Sequence, residues 1–515
     1  MSRARSPIRL PQLVPLAVAV LLGCRPAEVS EPLGCGLPEA SEAPALAEAY
    51  GDPLESVLYP PTLKPKRDSF LTNDLCGLPN QDSVVAYAWQ EFIALNWPAD
   101  PDGSGQPDRE VKASHFGDPD DLRATTWETW RTDTQTFLPD GERPPPWGDD
   151  ARQVPAGCED IGDMSSHRVL TSTSKISGQH LRNQLLSSID QPIGGWLTDQ
   201  HGKLVWYERL MNRDEFEYIV DKKLYDSRRQ QHVARSEGIS FPFGLSDYGW
   251  LGSFEIKAAW KQLSPDERAN GRFHLSRAVL QLPGTDTCQV AVVGLVGLHI
   301  VHKTPTFPSW VWATFEQVDN APLTGQGKHP RVVPWSFFDP HCPKEKGDYT
   351  TNADRAPLRC AVNRSPIQGT QPAQKHPDGP IVVGDPMDRP IQVERIYPIP
   401  AAVAALNEVM QDKIRTANPD SVWQYYQLVD VEWPVDPATN AQLTAPGAQV
   451  PLQTYSMSSP GFQTPVANTT LETYVQQLNC THCHRQATIS APEDATTSTL
   501  AADYSFLLLS AHPSK

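Results

Sequence analysis

The sequence predicts an α+β protein: a mainly β body with a few helices, followed by a small α-helical unit at the C-terminus. Fifty prolines among 515 residues favour loops and short strands over a helical bundle. Three stretches between residues 254 and 318 show the apolar alternation or the continuous apolar runs of strands. A chain of this length exceeds one ordinary core, so we expect a large body at 71–460 and a terminal unit at 461–515.

The N-terminus has the organisation of an export signal. A basic stretch precedes the apolar run Leu13–Leu22, which is too short to span a bilayer permanently, so residues 1–23 are predicted to be a signal peptide. Leu21–Cys24 resembles the bacterial lipobox, in which the cysteine is acylated and becomes the mature N-terminus. We therefore expect lipidation at Cys24 and a lipid-anchored protein in the periplasm or cell envelope, with a soluble periplasmic protein as the alternative. Arg25 slightly favours the outer membrane, by resemblance to lipoprotein sorting rules.

The body is predicted to follow a tether. Residues 24–70 are rich in Pro, Ala and Glu without sustained periodicity, which is typical of such a tether. The first predicted helix begins at Asp82 or Ser83 and ends at Leu95, with one buried face. Further predicted elements are a hairpin over 195–207, a helix over 212–224, strands over 254–261, 288–303 and 310–318, a helix over 401–414 and a strand over 423–433. Residues 322–392 are polar and proline-rich, which indicates a long surface insertion.

Five consecutive residues near the C-terminus carry the most specific chemical signal: Cys480, Thr481, His482, Cys483 and His484. Two thiols three positions apart, followed at once by an imidazole, have the spacing that covalent haem attachment needs. Each thiol can add to one vinyl group of the porphyrin, and His484 can supply the proximal nitrogen to the iron. The sequence therefore predicts one covalent haem c, with Cys480 and Cys483 as thioether anchors and His484 as the proximal ligand.

Two other interpretations of this motif are weaker. A zinc site would need two more ligands nearby, and only His512 follows the motif. A redox-active dithiol would be expected in a βαβ context, which the surrounding sequence lacks. Haem attachment is therefore the favoured interpretation.

Helices are predicted on both sides of the motif. Thr469 and Glu472 have the spacing of a capping box, and an apolar stripe from Leu471 to Leu478 indicates a helix that leads into Cys480. A second short helix is predicted over Leu500–Leu509. About fifty residues would leave much of the apolar porphyrin uncovered, so we expect the haem to be sandwiched against the β body.

The second axial ligand of the iron is not evident, because no methionine follows His484. Met457, shortly before the motif, is the nearest candidate, although an ordinary core methionine is the favoured interpretation of this residue. His299 and His302 lie three apart on a predicted strand, so they point to opposite faces and at most one of them could reach a haem. Each is more simply interpreted as a hydrogen-bonded histidine, and His482 as a solvated spacer within the motif.

The other cysteines agree with an oxidising compartment. The six that remain can form up to three disulfides: Cys35, Cys76, Cys158, Cys288, Cys342 and Cys360. Proximity in the sequence favours Cys342 with Cys360 and Cys35 with Cys76. Unpaired, buried cysteines are the alternative.

The segment Asp100–Asp108 imitates the start of a calcium-binding loop, with oxygen ligands and a glycine at matching positions. The glutamate expected at the twelfth position is absent, since Val111 occupies it. A turn rich in Asp, Gly and Pro is therefore favoured.

Charge restricts the possible partners. The formal net charge is −17, and loss of the three arginines of the signal peptide leaves −20. Such a charge argues against nucleic acid or an anionic lipid surface as a partner. An acidic surface suits a basic redox partner protein, although it also serves solubility.

The motif resembles that of c-type cytochromes, and this resemblance covers about residues 468–512. The phrases Trp89–Pro98, Gly297–Thr304 and Trp310–Glu316 look like those of large bacterial proteins with a terminal single haem site. The resemblance implies covalent haem and export, but it supplies no reaction.

The leading functional expectation is a lipid-anchored monohaem c-type cytochrome that transfers electrons. The alternative is a haem enzyme, peroxidase- or oxidase-like, with an open distal site formed by the β body. A third class is a haem-based sensor or binding protein. The size of the body, which exceeds what electron transfer alone requires, keeps the second expectation open.

Overall fold

The computed structural model describes residues 81–515 with gaps at 104, 109, 150–154, 156, 162–167, 174–195, 245–246, 250, 282–285, 287, 305–306, 330, 343–359, 365–390, 434–442, 452–464 and 493–497, and without the side chains of 81–83 and 160. The predictions for the signal peptide, the tether, Cys24, the Cys35–Cys76 pair and Met457 lie outside these residues. Within them, no helix combines the length and the apolar character needed to cross a membrane.

The described helices and strands are interspersed along the chain in no repeating order. The α-helices are α1 (Gln81–Leu95), α2 (Asp133–Thr136), α3 (Arg213–Asp221), α4 (Ser227–Ser236), α5 (Pro265–Ala269), α6 (Ala401–Ala417) and α7 (Cys480–His484). The strands are β1 (Arg131–Thr132), β2 (Arg168–Leu170), β3 (Val205–Met211), β4 (Phe254–Gln262), β5 (Leu275–Gln281), β6 (Cys288–His302), β7 (Val311–Gln317) and β8 (Tyr426–Glu432). Short 3-10 turns include Val422–Tyr425 and Leu507–Ser510.

All eight strands belong to one sheet that curves into a half-barrel. The order β1-β3-β4-β6-β5-β2 is antiparallel except for the parallel pair β5–β2. One edge of β6 pairs with β4. The other edge of β6 pairs with β5 in its first half and with β7 in its second half, and β7 pairs in turn with β8. The sheet therefore branches at β6, and the β7–β8 branch forms a separate platform. This confirms the predicted mainly β body.

The two faces of the sheet bury different partners. Phe254, Ile256 and Trp260 of β4 pack in the core under α1 and α6, together with Phe315 of β7. Successive side chains of a strand point to opposite faces, and Trp312 of β7 packs in a second core with α3, α4 and the C-terminal residues. The β7–β8 platform is thus covered on both faces.

Helix α1 lies where the sequence predicts it, but the prediction that only one of its faces is buried is wrong. From Val84 to Leu95 every side chain is buried except that of Gln90, which is partly exposed. Trp89 donates its indole N–H to Asn407 of α6 at 3.0 Å, and Phe92 stacks on Phe315 with ring centroids 4.2 Å apart. The helix therefore lies between the sheet and α6, so that neither side meets solvent.

The predicted elements of the body agree with the structure, except that one predicted hairpin is shorter than expected. Helices α3 and α6 and strands β4, β6, β7 and β8 are found where the sequence predicts them. The hairpin over 195–207 is reduced to an isolated bridge between Thr198 and Leu204, after which β3 begins.

The predicted helices around the motif are wrong. Neither Leu471–Leu478 nor Leu500–Leu509 is an α-helix: the first is a series of turns, and the second holds a bridge at Leu500 and the 3-10 turn Leu507–Ser510. The capping box is absent too, since the Glu472 carboxylate accepts from the backbone N–H of Asn468 instead. These residues form their hydrogen bonds with the β body, and that tertiary contact overrides the helical pattern.

Two disulfides join described cysteines. The predicted pair Cys342–Cys360 is confirmed, with Cα atoms 5.8 Å apart, and it closes part of the 322–392 insertion. Cys158–Cys288, with a Cα separation of 5.5 Å, ties a loop to the start of β6 and was not among the predicted pairs. Both bridges constrain the unfolded chain more than the folded one, which favours folding.

The Asp100–Asp108 segment is a turn, as the sequence favours. The Asp100 carboxylate accepts from the backbone N–H of Asp102 at 3.0 Å, and the Asp108 carboxylate pairs with Arg123 at 3.3 Å. Two of the candidate calcium ligands are thus used within the protein.

Candidate functional site

The short helix α7 presents the CxxCH motif. Its N-terminus is capped by Asn479, whose side-chain oxygen accepts from the backbone N–H of His482 at 3.1 Å. Cys480 and Cys483, three positions apart, lie on one side of this turn. Both are half-buried and neither takes part in a disulfide, whereas the other four described cysteines are paired.

Glu432, the last residue of β8, fixes the start of the motif to the sheet. Its carboxylate accepts from the backbone N–H of Cys480 at 2.5 Å, from that of Thr481 at 2.9 Å and from the Thr481 hydroxyl. The side chain is 1% exposed, and burial raises the pKa of Glu432 although these hydrogen bonds oppose the rise. A carboxylate here satisfies N–H groups that have no partner within the helix and interacts favourably with the helix dipole.

His484 is held by a backbone carbonyl. Its Nδ1 lies 2.8 Å from the carbonyl oxygen of Tyr504. Because a carbonyl can only accept, Nδ1 carries the proton and Nε2 carries the lone pair that a metal ligand needs. The imidazole is flanked by Phe506 and Trp312, with ring centroids 5.2 and 6.1 Å away. Ring orientation and tautomer are thus both set before any ligand binds.

The turn that supplies this carbonyl has an unusual backbone. Asp503 and Tyr504 have φ values of 50° and 67°. This is the left-handed region of backbone conformation, which residues other than glycine rarely adopt. Neighbouring groups hold the turn in place. The Asp503 carboxylate accepts from Lys303 Nζ and from the backbone N–H of Phe241 at 2.7 Å, and its carbonyl accepts from the Trp310 indole at 2.9 Å.

The Lys303–Asp503 pair is fully buried, with neither side chain exposed. Burial lowers the pKa of Lys303 and raises that of Asp503 to about 6, and the attraction between the two charges opposes both changes. The turn that orients His484 therefore depends on a charge pair in the interior of the protein.

The residues that lead into the motif lie against strands β6 and β7. Asn468 donates its side-chain amide to a backbone carbonyl of β7 at 2.7 Å, and Glu316 accepts from the N–H and the hydroxyl of Thr469 at 3.0 and 2.7 Å. Gly297 of β6 allows this close approach, because a Cβ atom there would lie 2.2 Å from the Thr470 hydroxyl. Both ends of the 468–481 segment are thus anchored by buried carboxylates of the platform.

The other histidines behave as the sequence favours. His299 contacts Glu472 at 3.1 Å, and His302 is buried with its Nδ1 2.6 Å from Glu91 and 2.7 Å from the Tyr87 hydroxyl. Both hydrogen-bonded interpretations are confirmed. His482 is partly exposed, and burial lowers its pKa.

Sequence reasoning missed the residues that position the motif. Glu432, Tyr504 and the Lys303–Asp503 pair lie 19 to 181 positions from His484 in the sequence, so no local spacing reveals them. One weak signal exists: Glu432 ends an apolar strand, where an acidic side chain is unusual unless it has partners.

The residues of the site fit a covalent haem better than a closed metal centre. Among the described residues, ligand atoms of three acidic or histidine side chains lie within 4.8 Å of one another only at Asp199, His201 and Glu267, a group that also contacts the buried Lys261. A structural zinc site requires ligand atoms that converge on one point. The ligand atoms of the CxxCH motif do not converge in this way. Two accessible thiols, an oriented imidazole and flanking aromatic rings match what haem attachment needs.

No family model, no curated protein and no solved structure matches this chain. The evidence on function therefore lies in the site itself.

Proposed function

We propose that this protein is an exported, lipid-anchored monohaem c-type cytochrome that transfers electrons. Haem c would be attached to Cys480 and Cys483, with His484 as the proximal ligand, and residues 461–515 would form the haem-binding unit on the β body. The observation that carries the proposal is the hydrogen bond from His484 Nδ1 to the Tyr504 carbonyl, next to two cysteines outside any disulfide.

Each positioning group has a defined task. When bound, the haem supplies a one-electron change at its iron. Tyr504 keeps the His484 ring oriented and increases its basicity through the Nδ1 hydrogen bond. Glu432 fixes the Cys480 end of the motif, and Trp312 and Phe506 exclude water beside the imidazole.

The partners follow from charge and from the predicted leader. A net charge of −17 favours a basic redox partner protein, whose association should slow as salt rises. Cys24 would attach the chain to the membrane through its lipid. Met457 is the nearest candidate in the sequence for the second axial ligand.

Absorption spectra of the purified protein, oxidised, reduced and reduced under carbon monoxide, test the proposal. We expect a covalently bound pigment with low-spin spectra and no prompt binding of carbon monoxide, because a second axial ligand blocks the gas. Prompt binding by a high-spin ferrous form would contradict electron transfer as the role and favour the alternative, a haem enzyme with an open distal side.

Replacement of His484 tests the proximal assignment. In His484→Ala the pigment should stay covalently attached through both thioethers, while the low-spin spectrum is lost. His482→Ala is the matched control within the same motif and should retain the wild-type spectrum. An unchanged spectrum in His484→Ala would show that another residue binds the iron.

A further inference from the structure

Two carboxyl groups, Glu215 of α3 and Glu255 of β4, approach each other closely enough to share a hydrogen bond near the turn that orients His484. Asp503 of that turn interacts electrostatically with both of them. The charged groups that face them are Lys303, which pairs with Asp503, and Lys257, two positions along β4. Glu215, Asp503 and Lys303 have no exposed area, whereas Glu255 is partly exposed.

The cluster has more acceptor atoms than donors. Both carboxylate oxygens of Glu215, one of Glu255 and one of Asp503 are buried without a hydrogen-bond donor among the described residues. Two carboxyl groups hydrogen-bond to each other only when one of them carries a proton. Burial accordingly raises the pKa of Glu215 well above its usual value and that of Glu255 to about 7. The shared hydrogen bond therefore requires one proton on the pair, and the oxygens that have no donor can bind a second.

A single turn connects this cluster to His484. Asp503 binds Lys303, Tyr504 accepts the His484 Nδ1 proton, and the Ser505 hydroxyl donates to Glu255. Three consecutive residues thus link the buried cation, the predicted iron ligand and the carboxyl pair. A change of charge at one of these positions acts on the others through the buried interior, where electrostatic interactions are weakly screened.

We propose that the Glu215–Glu255 pair takes up one proton when one electron enters the haem site, so that the protein carries a proton together with its electron. This inference rests on the proposed function. The electron comes from the redox partner protein and the proton from water, and the proton forms an O–H bond with a carboxylate oxygen of the pair. Reoxidation releases both. Glu255, the partly exposed member, is the point at which the proton exchanges with solvent.

The direction of the effect follows from charge. An added electron makes the site more negative, which raises the affinity of the pair for a proton. The midpoint potential of the holoprotein should therefore be flat in acid and fall as pH rises above about 7. The slope can reach about 59 mV per pH unit, the one-electron equivalent of a tenfold change in proton concentration.

Redox titration of the full-length holoprotein from pH 5 to 9 tests the inference on the wild type and on two variants. Glu255→Gln keeps the shape of the protonated side chain without its ionisation, and we expect it to lose most of the slope. Asp214→Asn is the matched control: Asp214 is the neighbour of Glu215 on α3, also buried and with a pKa raised to about 6 by burial, but it binds the backbone of Leu251 and Gly252. It should retain the slope.

The second readout is the number of protons that the wild-type protein takes up from unbuffered solution when it is reduced. This measurement tests the inference even if a variant does not fold. About one proton per electron is expected near neutral pH. A pH-independent potential, an absence of uptake, or a slope that survives in Glu255→Gln would overturn the inference while leaving the cytochrome intact. A colourless product would instead overturn the proposed function, and this inference with it.

Discussion

At the residue scale, Lys303 and Asp503 show how much the site depends on one interior contact. Both charged groups are buried away from solvent, and each is compensated mainly by the other. Asp503 also binds the backbone of Phe241 and the indole of Trp310, so the pair fixes the turn before Tyr504. Loss of either partner would leave an uncompensated charge in the interior.

Lys303→Met tests this dependence. Methionine keeps the apolar volume but leaves Asp503 unpaired, so we expect urea unfolding to show a decrease of about 3–5 kcal/mol in unfolding free energy. Lys515→Met is the control, because Lys515 pairs with Asp140 at the surface and should have no measurable effect. A loss below about 1 kcal/mol in Lys303→Met would contradict the role of the pair in holding the turn.

Residues that act next to each other in the sequence could be predicted, and residues that act across the fold could not. The CxxCH motif is recognisable because its thiols and imidazole are consecutive. Glu432 and Tyr504 act through backbone groups of α7 and through His484, contacts that exist only after the chain has folded. The left-handed φ of Tyr504 has no sequence signal at all, since glycine or asparagine is expected at such a position.

At the element scale, β7 and β8 form the platform that receives the chain before and within the motif. Glu316 of β7 holds Thr469, and Glu432 of β8 holds the start of α7. The two strands pair antiparallel, with Trp312, which flanks His484, opposite Glu432. One strand pair thus positions both ends of the 468–481 segment.

Glu432→Gln tests the platform. The amide offers one acceptor where the carboxylate offers two, so at least one donor of Cys480 or Thr481 loses its partner in a buried place. We expect a decrease of about 1–3 kcal/mol in unfolding free energy and a lower yield of covalent haem. Glu408→Gln on the exposed side of α6 is the control and should change neither quantity. Full haem yield together with wild-type stability in Glu432→Gln would contradict the anchoring role.

The elements that sequence periodicity predicted correctly are those that pack through their own pattern, such as α3, β4 and β6. The errors lie next to the motif, where apolar residues at helical spacing serve other contacts. The Tyr474 hydroxyl, for example, donates to the Trp196 carbonyl at 2.7 Å, and Leu471 packs with Trp196 and Phe337. Short helices are marginal without tertiary support, so contacts with the body decide the conformation.

At the scale of the whole molecule, the C-terminal residues share the core of the β body. Ile489, Ala502 and Leu508 pack with Phe216 and Ile219 of α3. Composition and apolar patterning were enough to predict a mainly β body, because they report burial. They could not predict the branch at β6 or the contacts of residues 465–515, because strand order and docking depend on pairs far apart in the sequence.

This arrangement gives the large body a physical role. The CxxCH motif lies on one side of three structural features of the protein: the β7–β8 platform, the buried Lys303–Asp503 pair and the carboxyl cluster. A short terminal segment alone would lack the carboxylates of Glu316 and Glu432 that anchor it and the Lys303 ammonium group that holds the turn orienting His484. The size of the body therefore agrees with a site whose precision comes from the sheet.

The central claim is that a haem is bonded to two sulfurs of this chain. Mass analysis of the peptide that contains Cys480 and Cys483, from protein made in cells able to mature c-type haem, tests it most directly. We predict that this peptide carries the mass of one haem and that neither thiol reacts with an alkylating reagent. A colourless protein whose peptide has its unmodified mass, with both thiols alkylated, would contradict the claim.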